Sequence, residues 1–367
     1  MKTTEKMNWL KRNPVVVARQ TDYIFTKFLG PAIIMSGMHP IGEIINYDER
    51  REFQARYVQH PHCAIHVKDA PKLDENSDDE IVEFIDKYIT CSIPDKETEP
   101  DLHELVTSRL THNCTTTCRK KKGVRCRFNA PWPVCEQTII IRGDDVPNDV
   151  IKRSKKICDK VLNEISNNRR EEELDQLTIK DILDSCEVTQ DEYDNAMTTM
   201  QKSATIHYKR QPNETMISPY NTVLLSVLKA NMNLQFVTGV YGLLTYLTAY
   251  LCKPEKVMSE LMKKASKEAS GEGIRGKLKK IGNVFLTKRE VGMHEATLRL
   301  LSTPFRRSNI FVLYIPSGPQ EDRVRMLKPR EILDQMDPDD TNIFATNMVE
   351  KYTNMLNSMI MTILSYP

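Results

Sequence analysis

Two histidines stand two positions apart in His60-Pro61-His62. On a β-strand, residues with this spacing point to the same side, so the two imidazoles would be placed to bind one divalent cation. Glu52 and Gln54, on the preceding run, would supply an oxygen ligand if that run pairs alongside. The spacing therefore indicates a metal site, and a pair of incidental surface histidines is the alternative interpretation.

Two tyrosines and a lysine follow one another at helical spacing in Tyr246, Tyr250 and Lys253. Intervals of four and three place both phenols and the ammonium on one helical face. A tyrosine hydroxyl can attack a phosphodiester, which leaves a covalent phosphotyrosine and a free 3′-hydroxyl. A nearby cation or metal would stabilise the charge that develops on the phosphate. The alternative is an aromatic core face whose helix ends at the lysine.

Four residue types that bind zinc occur within fifteen positions, at His112, Cys114, Cys118 and Cys126. Their spacing is close to known structural zinc motifs without matching a standard one, and Cys135 is a spare candidate. The segment is poor in apolar residues and would need a metal to hold it together. It therefore predicts a zinc site, with reduced thiols in a loop as the alternative.

A dense group of cations surrounds these cysteines. Six positive side chains fall within nine positions, and such a run is typical of a contact with a phosphate backbone. A solvated run of charge is the alternative. The six are Arg119, Lys120, Lys121, Lys122, Arg125 and Arg127.

Composition describes an ordinary globular chain. Its 367 residues are enough for a sizeable core, with 40% hydrophobic and 28% charged residues and a net charge of only +2. The N-terminus has no apolar signal run, so nine cysteines favour metal binding or burial over disulfides. No stretch approaches the roughly 18 apolar residues of a membrane span. We expect an intracellular protein with no membrane partner.

Hydrophobic periodicity predicts the elements that would position these groups. Alternation over 51–67 predicts a hairpin or strand pair, and helical spacing begins at Asp78. Helices are further predicted at 21–29, within 150–210, from 218 before a short strand ending at Phe236, over 240–252, within 253–290 and from Pro329, with a strand at 311–315. The run Gly271–Lys277 copies the first seven positions of a phosphate-binding loop, but Leu278 replaces the hydroxyl that holds magnesium. We interpret it as a turn between helices.

The order of these motifs resembles a known family. Glu52-Phe-Gln-x-Arg56 followed by His60-x-His62 resembles the two-histidine motif of the Rep domain of Helitron transposases, which are HUH endonucleases. The run from Cys126 to Pro131 resembles the Cys-rich insert of that family. Further segments continue the match nearly to the end of the chain: Pro219-Tyr-Asn221, 230–236, Tyr246-x3-Tyr250-x2-Lys253, Arg289-Glu-Val291, Glu295-Ala296, Arg299-Leu-Leu301 and Leu327-Lys-Pro329. The chain departs from the family pattern at Tyr57, Gln59, Pro61 and Asn233.

The resemblance implies an α/β (α+β) fold of the HUH type. A small antiparallel sheet with flanking helices would carry the histidines and face the two-tyrosine helix. We expect four regions: 1–102, the first half of a Rep-like domain with the two-histidine motif; 103–140, a zinc-clipped basic insert; 141–255, helical and ending in the two-tyrosine motif; and 256–367, a helical C-terminal extension.

The resemblance also implies a reaction, the nicking and joining of single-stranded DNA in rolling-circle transposition. His60 and His62 would bind Mg²⁺ or Mn²⁺, Tyr246 and Tyr250 would be the nucleophiles, and Lys253 would contact the phosphate. A nuclear location and a helicase module in the full-length parent are expected, which makes this chain a truncated or decayed copy or a partial gene model. Two alternatives stay open: an inactive remnant that only binds DNA, and a host protein that kept the fold for protein contacts.

Overall fold

The structure is a computed structural model that divides into two compact units, Met1–Asn309 and Ile310–Pro367. The residues that it describes are 3–26, 37–53, 59–115, 118, 126, 128–142, 146–168, 177–200, 204–239, 242–243, 263–269, 271, 273–288, 291–310, 326–347 and 351.

The described chain is mixed α/β with a small antiparallel sheet, as the sequence predicted at that level. Its helices are α1 (Thr3–Arg12), α2 (Pro14–Tyr23), α3 (Asp78–Tyr88), α4 (Pro100–Leu105), α5 (Asn148–Asn168), α6 (Ile179–Ser185), α7 (Gln190–Thr199), α8 (Thr222–Leu228), α9 (Ile274–Lys288), α10 (Met293–Leu300) and α11 (Arg330–Leu333). Its strands are β1 (Ile44–Phe53), β2 (Gln59–Val67), β3 (Ile139–Ile141), β4 (Thr205–His207) and β5 (Arg306–Ser308).

Strands β2, β1 and β5 form an antiparallel sheet in that order. Glu52 lies opposite His60, and Arg50 lies opposite His62. The hairpin predicted over 51–67 is therefore confirmed, although β1 begins earlier, at Ile44. Strand β5 pairs with the other edge of β1, so the segment predicted as a helical extension contributes a strand to the histidine sheet.

Within the described residues β2 is an edge strand of the sheet, which accommodates the proline between the two histidines. Pro61 lies opposite Arg51 within the paired region. Proline lacks the amide hydrogen of a sheet ladder and is tolerated at an edge, where one side of the backbone has no partner strand. Both histidines therefore stay on one face of the strand.

A buried charge network lies on the opposite face of the sheet. Arg51 contacts Asp22 of α2 at 2.8 Å and Glu49 at 3.3 Å, while Arg307 of β5 contacts Asp22 at 2.6 Å and Glu49 at 4.0 Å. Burial raises the pKa of Glu49 from 4.5 to about 6; Arg307 opposes the rise and Asp22 adds to it. The network joins α2, β1 and β5 behind the histidines.

Asn221 joins three parts of the chain beside the sheet. Its side-chain oxygen accepts from the Leu224 amide at 3.0 Å and caps α8. Its amide nitrogen donates to the carbonyls of Pro40 and Tyr88, at 3.0 and 2.9 Å. Only 6% of Asn221 is exposed, so these bonds are shielded from water.

Helices α5, α6 and α7 surround a second core, which confirms the helices predicted within 150–210. Tyr193 donates from this core to the carbonyl of Val134 at 3.0 Å. Strands β3 and β4 pair across its margin, with Ile140 opposite Ile206. The sequence pattern did not predict these two strands, which have only three residues each.

Two predicted elements differ from the structure. Residues 231–237 are irregular rather than a strand, because single hydrogen bonds anchor them: Leu234 donates to the Pro219 carbonyl at 2.8 Å and Phe236 to the Tyr208 hydroxyl at 3.0 Å. The helix predicted from Pro329 spans only α11 among residues 330–347. A proline at 338 and its aspartate neighbours favour turns there.

Several predictions can be located against the described residues. A turn does separate the helical residues 263–268 from α9, as we interpreted the run Gly271–Lys277. The predicted helix at 21–29 overlaps α2, which begins earlier, at Pro14. The predicted strand at 311–315 lies outside the described residues, as does all of the predicted helix at 240–252 except residues 242–243.

Candidate metal centres

Glu52, His60 and His62 meet on one face of the β1–β2 hairpin. The Glu52 Oε2 lies 3.1 Å from His60 Nε2 and 2.9 Å from His62 Nε2. The imidazole centroids are 4.8 Å apart, with their planes inclined at 68°. The ligand atoms of all three residues lie within 4.8 Å of one another. The structure thus brings together the three residues that the sequence assigned to this metal site.

Local backbone rules explain this convergence. The two histidines share a face because strand side chains alternate, and Glu52 joins them because it lies directly opposite His60. Side-chain exposure is 32% for His60, 11% for His62 and 13% for Glu52, so the group is shielded but reachable. Two imidazole nitrogens and a carboxylate oxygen are a donor set that fits a divalent cation with open positions.

The same face of the sheet carries an ion pair at Asp48, four residues before Glu52 on β1. Arg306 of β5 donates from Nε to both carboxylate oxygens of Asp48, at 3.0 Å each. Asp48 is thus paired with Arg306, whereas Glu52 contacts the two histidines. Arg50, which lies opposite both His62 and Arg306, separates the two groups.

His112, Cys114, Cys118 and Cys126 form a second group, with ligand atoms within 4.8 Å of one another. The Cys126 sulfur is 3.2 Å from His112 Nε2. Cys118 and Cys126 are buried, at 5% and 2% exposure. This Cys/His cluster could bind a metal such as zinc, because one imidazole and three thiols are the ligands of a common closed zinc site. The sequence prediction of the four residues is matched by their geometry.

Backbone contacts hold the Cys/His cluster against the segment 212–217. The His112 amide donates to the Met216 carbonyl at 2.8 Å, and the Trp132 amide donates to the Thr215 carbonyl at 2.8 Å. The Thr115 amide donates to the Cys118 sulfur at 3.1 Å. Amide donation to a sulfur orients the ligand and stabilises its thiolate. Sequence spacing did not reveal this role of Thr115.

The pKa values of two cysteines in this region are shifted in opposite directions. Burial alone would raise the pKa of Cys118, but hydrogen bonds from Thr115, Cys126 and Cys114 lower it overall. Burial raises the pKa of Cys135 to about 12. A metal ligand must be a thiolate, so Cys118 suits a ligand and Cys135 suits a neutral buried thiol. Cys135, the spare candidate, lies apart from the four-residue cluster.

The remaining predicted site residues fall in other segments. The proposed nucleophiles, their lysine and the basic run lie outside the described residues. The convergence of the two tyrosines with the histidines and the DNA contact of the basic run therefore stay predictions. The residues concerned are Tyr246, Tyr250, Lys253, Arg119, Lys120, Lys121, Lys122, Arg125 and Arg127.

Comparison of the chain with models of known protein families gave no match, and comparison with curated proteins gave none either. The family resemblance therefore depends on the motifs and their order. Among the helices that the structure describes, none has the length and apolar character needed to cross a bilayer.

Proposed function

We propose that this chain is an HUH-type endonuclease of the Helitron transposase family, which nicks and rejoins single-stranded DNA. The observation that carries the proposal is the meeting of Glu52 with His60 and His62 on adjacent strands. This three-residue group supplies the metal-binding half of the site that the motif order implies. The two-tyrosine motif at Tyr246 and Tyr250 would supply the nucleophilic half.

The proposed reaction exchanges one phosphodiester for another. The oxygen of Tyr246 or Tyr250 attacks the phosphorus, the phenolic proton leaves, and the bond from phosphorus to the 3′ oxygen breaks. The 3′ oxygen takes up a proton, and the DNA 5′ end stays on the tyrosine. A bound Mg²⁺ or Mn²⁺ would polarise the phosphate and stabilise its developing charge. No external energy source is required, because the phosphotyrosine bond conserves the energy for rejoining.

The flanking groups have supporting roles in this proposal. Glu52, His60 and His62 would hold the cation, and Lys253 would neutralise the phosphate. Zinc at the Cys/His cluster would stabilise the folded insert. The basic run of the insert would then contact the DNA backbone independently of sequence. A nuclear site of action and a helicase module in the parent protein belong to the same proposal.

A nicking assay tests the activity. A labelled single-stranded oligonucleotide is incubated with the protein and Mn²⁺, and both cleavage and covalent adducts are scored. We expect His60→Ala combined with His62→Ala to reduce cleavage to background. The matched control is His66→Ala, because His66 lies on the same strand outside the metal-binding group. If the double variant cleaves as well as the unaltered chain and the His66→Ala control, the metal assignment is refuted.

The covalent step has a separate test. Tyr246→Phe combined with Tyr250→Phe should abolish adducts while DNA binding persists, and Tyr23→Phe serves as an exposed tyrosine control. Adducts that survive the double substitution would assign the attack to another nucleophile. Binding without cleavage by the unaltered chain would favour the alternative of a DNA-binding remnant.

A further inference from the structure

A cavity of about 830 Å³ opens beside the Cys/His cluster. Its walls come from four parts of the chain: residues 128–133, α5, Met200 with residues 204–210, and residues 219–238. Pockets for small ligands typically occupy about 300–1,000 Å³, so this one is large enough for a nucleotide. The lining residues that decide its chemistry are Phe128, Trp132, Lys155, Arg210, Gln235 and Phe236.

One wall carries two aromatic rings held by their neighbours. Phe128 and Trp132 both meet the His112 ring edge-on, at centroid distances of 5.4 and 6.3 Å. The Arg210 guanidinium lies 4.8 Å from the centre of the Trp132 ring. Phe128 is 46% exposed. A fixed and exposed ring is the surface on which an unpaired base stacks, because every base presents a π-face.

Arg210 fixes this wall from inside the protein. It is 2% exposed and donates to the carbonyls of Glu214 and Ile217. Its own backbone pairs with that of Cys135. Because these contacts hold the guanidinium in place, the Trp132 ring above it loses little freedom when a ligand stacks nearby.

Another part of the lining, formed by Lys155, Gln235 and Phe236, combines an aromatic ring with polar groups. Phe236 packs edge-on against Phe84 at 6.1 Å. Gln235 beside it is exposed, and its side-chain amide offers a donor and an acceptor for the edge of a base. Lys155 is exposed on α5, where its ammonium can neutralise a phosphate. The cavity thus offers stacking, edge recognition and a cation.

The part of the lining that contains Gln235 and Phe236 is continuous with the histidine sheet. Leu234 and Met232 pack into the cluster that contains Ile44 of β1 and Ile65 of β2. Residues 232–236 therefore contact the sheet through Leu234 and the cavity through Gln235 and Phe236. A DNA strand bound in the cavity would contact the same segment that packs on the histidine hairpin, on the face opposite the two histidines.

We propose that this cavity binds one unpaired nucleotide of single-stranded DNA, with the base stacked on Phe128 near Trp132 and the phosphate beside Lys155. The choice of DNA as the polymer rests on the proposed function. The cavity itself is argued from its size, rings and polar groups. Its role would be to bind the substrate strand at a nucleotide distant from the phosphate that reacts.

The chain contains only two tryptophans, which allows a direct test. Trp9 lies on α1 and Trp132 lines the cavity. In a Trp9→Phe background, Trp132 is the sole indole reporter. We expect an oligothymidylate to quench its fluorescence without added Mg²⁺ or Mn²⁺. Base stacking contributes about 1–3 kcal/mol, so Phe128→Ala should weaken binding roughly 5- to 150-fold.

Controls separate the cavity from general effects. Tyr23→Ala removes another exposed ring, 54% accessible on α2, and should leave the affinity unchanged. Zinc content and circular dichroism show whether Phe128→Ala keeps the fold. If they differ from those of the parent, Gln235→Ala and Lys155→Ala replace it, and each should weaken binding at least threefold. Unchanged affinity in correctly folded variants would overturn the proposal.

Further outcomes assign the ligand. Weaker quenching by the matched duplex and by thymidine monophosphate supports an unpaired nucleotide within a strand, whereas equal affinity for either one overturns it. Oligonucleotide binding in a gel-shift assay without Trp132 quenching overturns the cavity as the binding place. Quenching without nicking would support the cavity as a binding site and reject the proposed nicking activity. Nicking without quenching would support the activity and reject the cavity as the binding site.

Discussion

Replacing Cys118 by serine tests the Cys/His cluster most directly. The cluster offers one ligand atom from each of four residues, and serine keeps the size of the side chain but removes the thiolate. We expect a purified chain to carry about one zinc and Cys118→Ser to carry far less. The Thr115 amide, now 3.1 Å from the sulfur, would keep an oxygen acceptor, so the backbone bond survives in part.

The expected size of the effect follows from the ligand count. Structural zinc sites contribute about 10–16 kcal/mol of apparent binding free energy. Shared over four ligands, this is about 3 kcal/mol for each, or roughly a hundredfold in zinc affinity. The lost affinity reappears as lower stability, because zinc binds the folded chain far better than the unfolded chain.

Two measurements and one control decide the result. Metal analysis after gel filtration gives the zinc content, and competition with a chromophoric chelator gives the affinity. Cys135→Ser is the matched control, because Cys135 is buried in the same region but lies outside the cluster. We expect the control to keep its zinc. Absence of zinc from the unaltered chain, or equal zinc loss in both variants, would refute the assignment.

Two further substitutions test the packing behind and beside the sheet. The raised pKa of Glu49, about 6 against 4.5, means that the folded chain holds this proton more firmly than the unfolded chain. The free energy of unfolding should therefore fall by about 2 kcal/mol as the pH rises from below 4.5 to above 6. Urea unfolding of Glu49→Gln should lack this fall, and a parallel pH profile in both proteins would contradict the assignment. Asn221→Ala removes one helix cap and two donors to carbonyls and should lower the free energy of unfolding by about 2–4 kcal/mol. Asn221→Ser keeps a hydroxyl oxygen that can accept from the Leu224 amide and buries no charge, so it should lose less stability. Equal losses in the two variants would show that the cap is not the stabilising contact.

The hairpin that carries Glu52, His60 and His62 was predictable because its determinants are local. Spacing placed His60 and His62 on one face, and a short connection made the run containing Glu52 their natural partner. The Cys/His cluster was predictable for the same reason, since its four residues lie within fifteen positions. Helix α3 was equally clear, because Ser77 and Glu80 form a capping box ahead of helical spacing.

The long-range pairings could not be predicted from local patterns. Strand β5 has three residues, two of them arginines, and carries no strand periodicity. Its place beside β1 depends on ion pairs from Arg306 to Asp48 and from Arg307 to Glu49 and Asp22. The cavity beside the Cys/His cluster was missed for a similar reason: Phe128 and Phe236 are more than a hundred positions apart and meet only through the fold.

The late position of β5 has a consequence for how the protein is made. Tyr47 of β1 and Asn309, which follows β5, are hydrogen-bonded across a separation of 262 residues. During synthesis the hairpin leaves the ribosome before β5 does, so the edge of β1 that pairs with β5 has no partner strand at first. The arginines that neutralise the carboxylates of β1 follow only after most of the chain has been translated. A nascent chain that stops before residue 306 would keep the histidine pair but expose one unpaired edge of β1 to proteases and to other chains.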